Sequence, residues 1–133
     1  VSPAVRRGLL VVFAVSAIGI GVWCYFAPAH WYATFPGFGL TWLPVLGPFN
    51  EHLVADVGAF YLGFGVLSLV AARRPADTVL AGWGWVVFSV LHLVYHLRHL
   101  HMYSLRDQVL NVVVLSLFVV MGAALLVPQR KRA

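Results

Sequence analysis

Four apolar stretches of about 20 residues each, at residues 9–27, 53–72, 78–97 and 109–127, decide most of what this chain can fold into. Each is long enough to cross the roughly 30 Å hydrocarbon core of a bilayer as a helix. In lipid the backbone must satisfy its own polar groups, so a strand-like run such as Val112, Val113 and Val114 does not displace the helical reading. Composition agrees: the chain is 62% hydrophobic and 10% charged, with a mean hydropathy of +0.90, whereas soluble proteins carry roughly 25% charged residues. A water-soluble fold of 133 residues has no interior able to hide that much apolar surface. The expected fold is all-α: a single-domain, four-helix transmembrane bundle over residues 1–133.

The net charge of +5 is arranged by position. Arg6-Arg7, Arg73-Arg74 and Arg130-Lys131-Arg132 alternate with the spans so that all three clusters fall on one side, leaving Arg98 and Arg106 on the other. Lys/Arg bias then places both termini in the cytoplasm. The basic clusters therefore read as membrane topology, and no basic-aromatic stripe suggests a nucleic-acid partner. Cys24 is the single cysteine, so an internal disulfide or a dithiol redox cycle is excluded. The first span, though followed by Ala27-Pro28-Ala29, is too long and too aromatic near its end for a cleaved signal, and reads as retained. The outer connection, residues 28–50, is rich in Trp, Phe, Pro and Gly. It is expected to lie in the outer interface, where amphipathic rings settle, or to cover the bundle as a lid.

Several polar residues have local explanations. Asn50 suits the N-cap of the second span, with Glu51 in its first turn. Ser104 and Asp107 have the spacing of a capping box, Asp77 is expected to start the third span, and His30 and His101 fall in interfacial loops with structural roles. Gly58, Gly63, Gly65, Gly82 and Gly84 are expected at close helix–helix contacts.

Capping does not explain His52, Asp56, His92 and His96, with His99 as a fifth residue of the same kind. His52 and Asp56 share a helix face at i, i+4; His92, His96 and His99 share another, continued inward by Ser89 and Trp85. At about 1.5 Å per residue, His92 lies roughly 21 Å and His96 roughly 27 Å above the inner edge of span three, while Asp56 lies roughly 7 Å below the outer edge of span two. The depths match Asp56 with His92 and His52 with His96, and Asn111 falls at a similar level. Ionisable groups at such depth are costly, and several at one level point to function.

Three readings follow. In the first, His52, Asp56, His92 and His96 ligate a divalent metal ion (Zn, Cu or Fe) with Glu51 or His99 in reserve, supporting redox or hydrolytic chemistry on a lipid-like substrate. Haem held by two imidazoles is a less favoured variant, and no CxxCH is present. In the second, the site is metal-free: Asp56 orients His92 as an acid-base pair, or the histidines receive a lipid or quinone beneath the aromatic loop. In the third, the pairs fix helix register in a structural or accessory subunit, within a homo-oligomer or a larger membrane complex. No acidic residue occurs in the inner half of any span, which disfavours a proton path.

NEHLVADVGAFYLG together with HLVYHLRHL resembles small bacterial four-span membrane proteins usually labelled uncharacterised. The resemblance rests on Asn50-Glu51-His52, Asp56-Val57-Gly58 and His92 through His99. It implies the four-helix fold and a bacterial cell membrane, and carries no activity with it.

Overall fold

The computed structural model describes residues 1–128, so the cluster Arg130-Lys131-Arg132 lies outside the described residues. The chain is an all-α four-helix bundle of membrane-spanning helices: α1 (Pro3–Phe26), α3 (Glu51–Arg73), α4 (Thr78–Arg98) and α5 (Leu105–Leu126). A short α2 (Pro28–Thr34) and a two-stranded hairpin, β1 (Pro36–Gly37) with β2 (Leu40–Thr41), occupy the long connection. All four long helices are apolar enough to cross a bilayer, and the chain is a multi-pass membrane protein.

Helix ends follow local cap chemistry. Ser2 Oγ accepts from the Val5 amide, with Pro3 in the first turn of α1. Asn50 Oδ1 accepts from the Leu53 amide at 3.1 Å and Glu51 sits in the first turn of α3. Ser104 Oγ accepts from the Asp107 amide and donates to its carboxylate at 2.8 Å, so Asp107 is a cap partner. Asp77 departs from expectation: it precedes α4 but makes no side-chain cap bond, because a 3-10 turn (Pro75–Asp77) leads directly into the helix.

The bundle is two tight pairs, α1 with α3 and α4 with α5, with sparse contact between pairs. The first seam is backbone-close: a Cβ on Gly58 would meet Cys24 Cβ at 2.8 Å, one on Gly21 the Gly58 carbonyl at 2.9 Å, and Gly65 faces Ile18. The second uses Gly82 against Leu125 and Gly122 against Val86. Gly84 abuts Phe64 of α3. Gly63, expected at a helix contact, faces open space. Across the pairs Trp85 stacks on Phe13 (ring centroids 4.3 Å apart), within a core that also holds Leu10, Ala17, Ala71 and Leu125.

The start of α1, the end of α5 and the α3–α4 turn share one end, where the Arg6 guanidinium donates to the Val127 carbonyl, an otherwise unsatisfied group at the C-terminus of α5. The long connection folds over the opposite end. Tyr32 donates to the Gly47 carbonyl, Thr34 to that of His30, and Tyr103, from the α4–α5 connection, to that of Trp42 at 3.0 Å. Trp31 and Trp42 are buried by this fold-over.

Candidate functional site

Sparse contact between the two pairs leaves a cavity of about 510 Å³ in the half of the bundle nearest the long loop. All four spans contribute walls: Ile20 from α1, Val57 and Tyr61 from α3, Phe88 and His92 from α4, Phe118 from α5. Trp31, Phe35 and Trp42 form the roof, and Trp85 lies at the inner end. The lining contains no Asp, Glu, Lys or Arg. This is the size and chemistry of a small-molecule site: apolar walls with a few placed polar groups.

Those polar groups share one property. Trp31 Nε1, Trp42 Nε1, Ser89 Oγ, His96 Nδ1 and Asn111 Oδ1 are all buried, all belong to lining residues, and all lack a hydrogen-bond partner among the described residues. Three of the five have polar neighbours without closing a bond: the Asn111 amide and the His96 ring lie beside each other, and the Trp42 indole lies toward the Asp107 carboxylate. Asn111 Nδ2 is spent on the Asp107 carbonyl at 2.8 Å, which leaves its Oδ1 to the cavity side. Buried polar atoms in proteins are mostly paired with protein or ordered water, so five without a protein partner around a single cavity make this cavity the candidate site. The two indoles can only donate, the Asn111 oxygen can only accept, and Ser89 and His96 can do either.

The expected ligand set is divided. His92 and His96 line the cavity, with ring centroids 4.7 Å apart, and His92 stacks on Phe88 at 5.4 Å. His52 and Asp56 pair with each other at 3.3 Å, and their side chains are 82% and 65% exposed. The contact expected between Asp56 and His92 is not made, and neither is that between His52 and His96. Glu51 is exposed in the first turn of α3. His99 stacks on Tyr95 and bonds its carbonyl through Nδ1, apart from the cavity lining. Among the described residues no group of three His, Cys, Asp or Glu side chains converges as a metal site.

The physical reason is the glycine seam. Gly58 and Gly65 turn one face of α3 onto α1. At about 100° per residue, Asp56 lies two positions and roughly 200° from Gly58, on the far side of the helix. Val57 and Tyr61 reach the cavity in its place. Depth matching carries no information about rotation.

His30 accepts from Trp23 Nε1 at 2.8 Å and serves the loop; His101 is exposed. The Tyr103 hydroxyl, which holds the roof through Trp42, is pushed up to about 12 by burial, with Tyr95 and Asp107 adding smaller repulsions. The roof residues Trp31 and Trp42, and Tyr61, were not singled out from the sequence. Only the aromatic density of residues 28–50 signalled them. No family model, curated protein or solved structure matches the chain, so the resemblance drawn above rests on its motifs alone.

Proposed function

We propose that this protein binds a neutral amphiphile within the membrane, a lipid-like molecule or quinone bearing a hydroxyl or carbonyl head. The observation that carries the reading is the ring of five unpaired polar atoms around one apolar cavity. A carbonyl oxygen would accept from an indole, Ser89 or His96, and a hydroxyl would donate to Asn111 Oδ1. The absence of charged side chains from the lining favours a neutral head over a phosphate or carboxylate. The apolar body would lie against Ile20, Phe88 and Phe118. The basic residues Arg6, Arg7, Arg73 and Arg74, all at the end opposite the long loop, support a cytoplasmic position for that end in a bacterial cell membrane, with the roofed cavity toward the outer leaflet.

The test is organic extraction and mass spectrometry of protein purified in mild detergent, beside an Asn111→Leu/His96→Leu variant. A neutral amphiphile enriched in the wild type and depleted in the variant is expected. Three tryptophans, Trp31, Trp42 and Trp85, line the cavity, so added short-chain ubiquinone or monooleoylglycerol should quench wild-type fluorescence saturably. Failure of both enrichment and quenching overturns the proposal.

A second reading rests on the adjacent His92 and His96 imidazoles. A Zn, Cu or Fe ion held by this pair, with the amphiphile supplying further ligands, would retain the sequence-based metal expectation in narrower form. Elemental analysis of protein prepared without an affinity-tag metal tests it. Metal present in the wild type and lost in His92→Ala/His96→Ala supports this reading, and equal content in both removes it.

A further inference from the structure

A second concavity, of about 780 Å³, opens at the end opposite the long loop, between the start of α1 and the end of α3. It shares no residue with the roofed cavity. Its rim carries Arg6, Arg7 and Arg73, its lining contains no Asp or Glu, and Leu10, Val11 and Ala72 continue it along the helices. The two ion pairs among the described residues, His52–Asp56 and Arg106–Asp107, involve none of these arginines. Asp77, the acidic residue of the adjoining turn, is not part of the lining.

Arg6 is the informative member. It is only 7% exposed, and its Nε has no partner among the described residues, although another nitrogen of the same guanidinium caps α5 at Val127. A buried guanidinium with an unused donor is expensive to leave unpaired. Arg73 reaches the Leu69 carbonyl only at 3.5 Å, so its fork is also largely uncommitted. The 24-residue helix α1 starts at this groove with no acidic residue in its first turn, which leaves the positive end of its dipole unscreened. Everything polar in the groove therefore asks for an anion with several acceptor oxygens, and the apolar walls just below ask for hydrocarbon.

We propose that this groove binds the phosphodiester headgroup of an anionic phospholipid, with the phosphate on Arg6, Arg7 and Arg73 and the proximal acyl chain against Leu10, Val11 and Ala72. Guanidinium forks match phosphate oxygens in pairs, which gives the contact specificity as well as charge. Basic pockets between spanning helices are a recognised way of holding such headgroups at the cytoplasmic leaflet.

The test uses the full chain in mild detergent, with native mass spectrometry and thermal unfolding on addition of phosphatidylglycerol, phosphatidylcholine or inorganic phosphate. Arg6 also holds α5, so the diagnostic variant is Arg7→Gln/Arg73→Gln, which leaves that cap in place. Phosphatidylglycerol should be retained and raise the unfolding temperature more strongly than phosphatidylcholine, which carries the same phosphodiester but brings a choline cation toward the arginines. The double variant should bind phosphatidylglycerol roughly thirty-fold more weakly, at about 1 kcal/mol for each arginine removed, with cavity quenching by short-chain ubiquinone unchanged. Equal retention of both lipids, or an unaffected double variant, overturns the proposal. Stabilisation by inorganic phosphate as strong as by phosphatidylglycerol also overturns it and assigns a free-phosphate site instead.

Discussion

The Trp85 indole of α4 donates to the Ser68 hydroxyl of α3 at 2.8 Å, and the Ser68 hydroxyl in turn donates a hydrogen bond to the Phe64 carbonyl at 2.8 Å. This buried link is the one side-chain hydrogen bond between α3 and α4 among the described residues, and it lies at the inner end of the cavity. Because Trp85 also stacks on Phe13 of α1, one side chain ties the second helix pair to both members of the first. Ser68→Ala should lower unfolding stability in detergent by about 1 kcal/mol, the usual scale for interhelical bonds in membranes. A double-mutant cycle with Trp85→Phe should return most of that as coupling, and additive losses would show that the bond contributes nothing of its own.

Ser89 contributes an unpaired hydroxyl to the cavity while being 3% exposed. Ser89→Ala removes a desolvated polar atom that has no partner in the chain, so stability without ligand should hold or rise. Affinity for the amphiphile should fall about five- to ten-fold, the value of one hydrogen bond. Titration of tryptophan quenching against unfolding midpoints checks the opposite signs.

Tyr103→Phe should loosen the roof without disturbing the spans. Hydrogen exchange of the peptide covering residues 35–47 should speed up while α1 and α3 remain protected. Burial holds the Tyr103 proton up to about 12, against about 10 in the unfolded chain. The stabilisation is therefore fully present below about pH 10 and is lost as the pH rises through about 12. Trp42 fluorescence in the wild type should report roof opening over that window, and Tyr103→Phe should lack the transition.

Two glycine substitutions on α3 should behave oppositely. Gly58→Ala forces a methyl to within 2.8 Å of Cys24 and of the Tyr25 backbone nitrogen, and should cost about 1–3 kcal/mol. Gly63→Ala projects into open space and should be neutral or slightly stabilising through helix propensity. Equal effects at both positions would contradict the α1–α3 seam.

The exposed His52–Asp56 pair should matter little. His52→Ala/Asp56→Ala is expected to change stability by less than about 1 kcal/mol, after allowance for solvent and headgroup screening. Amphiphile quenching should match the wild type. A loss of ligand comparable to that of Asn111→Leu/His96→Leu would return both residues to the site.

The cap residues were legible because capping is local: Asn50 and Ser104 need only the next turn to declare themselves. The cavity face of α4 was legible for the same reason, since Trp85, Ser89, His92 and His96 repeat at helical spacing. Depth along each span followed from rise per residue. Rotation about the α3 axis did not, because it is set by a partner helix: Gly58 was legible as a close-contact residue, but nothing in the sequence names Gly21 of α1 as what it meets. Asp56 was thus assigned to a site whose lining it does not join. Tyr61 and the indoles of the roof were hidden in aromatic density that anchoring alone would explain.

Each helix pair is closed by glycines at backbone distance, whereas the pairs touch mainly through large side chains around Trp85. Stiffness in this molecule is therefore anisotropic. Sliding or parting the helices within a pair breaks many short contacts at once, but splaying one pair from the other bends only a few. This packing predicts two stiff leaves, with the width of the space between them as the softest coordinate. On the proposed amphiphile-binding reading, guests of different girth would meet little elastic resistance, and selection among them would fall to the polar atoms of the lining rather than to the volume of the slot.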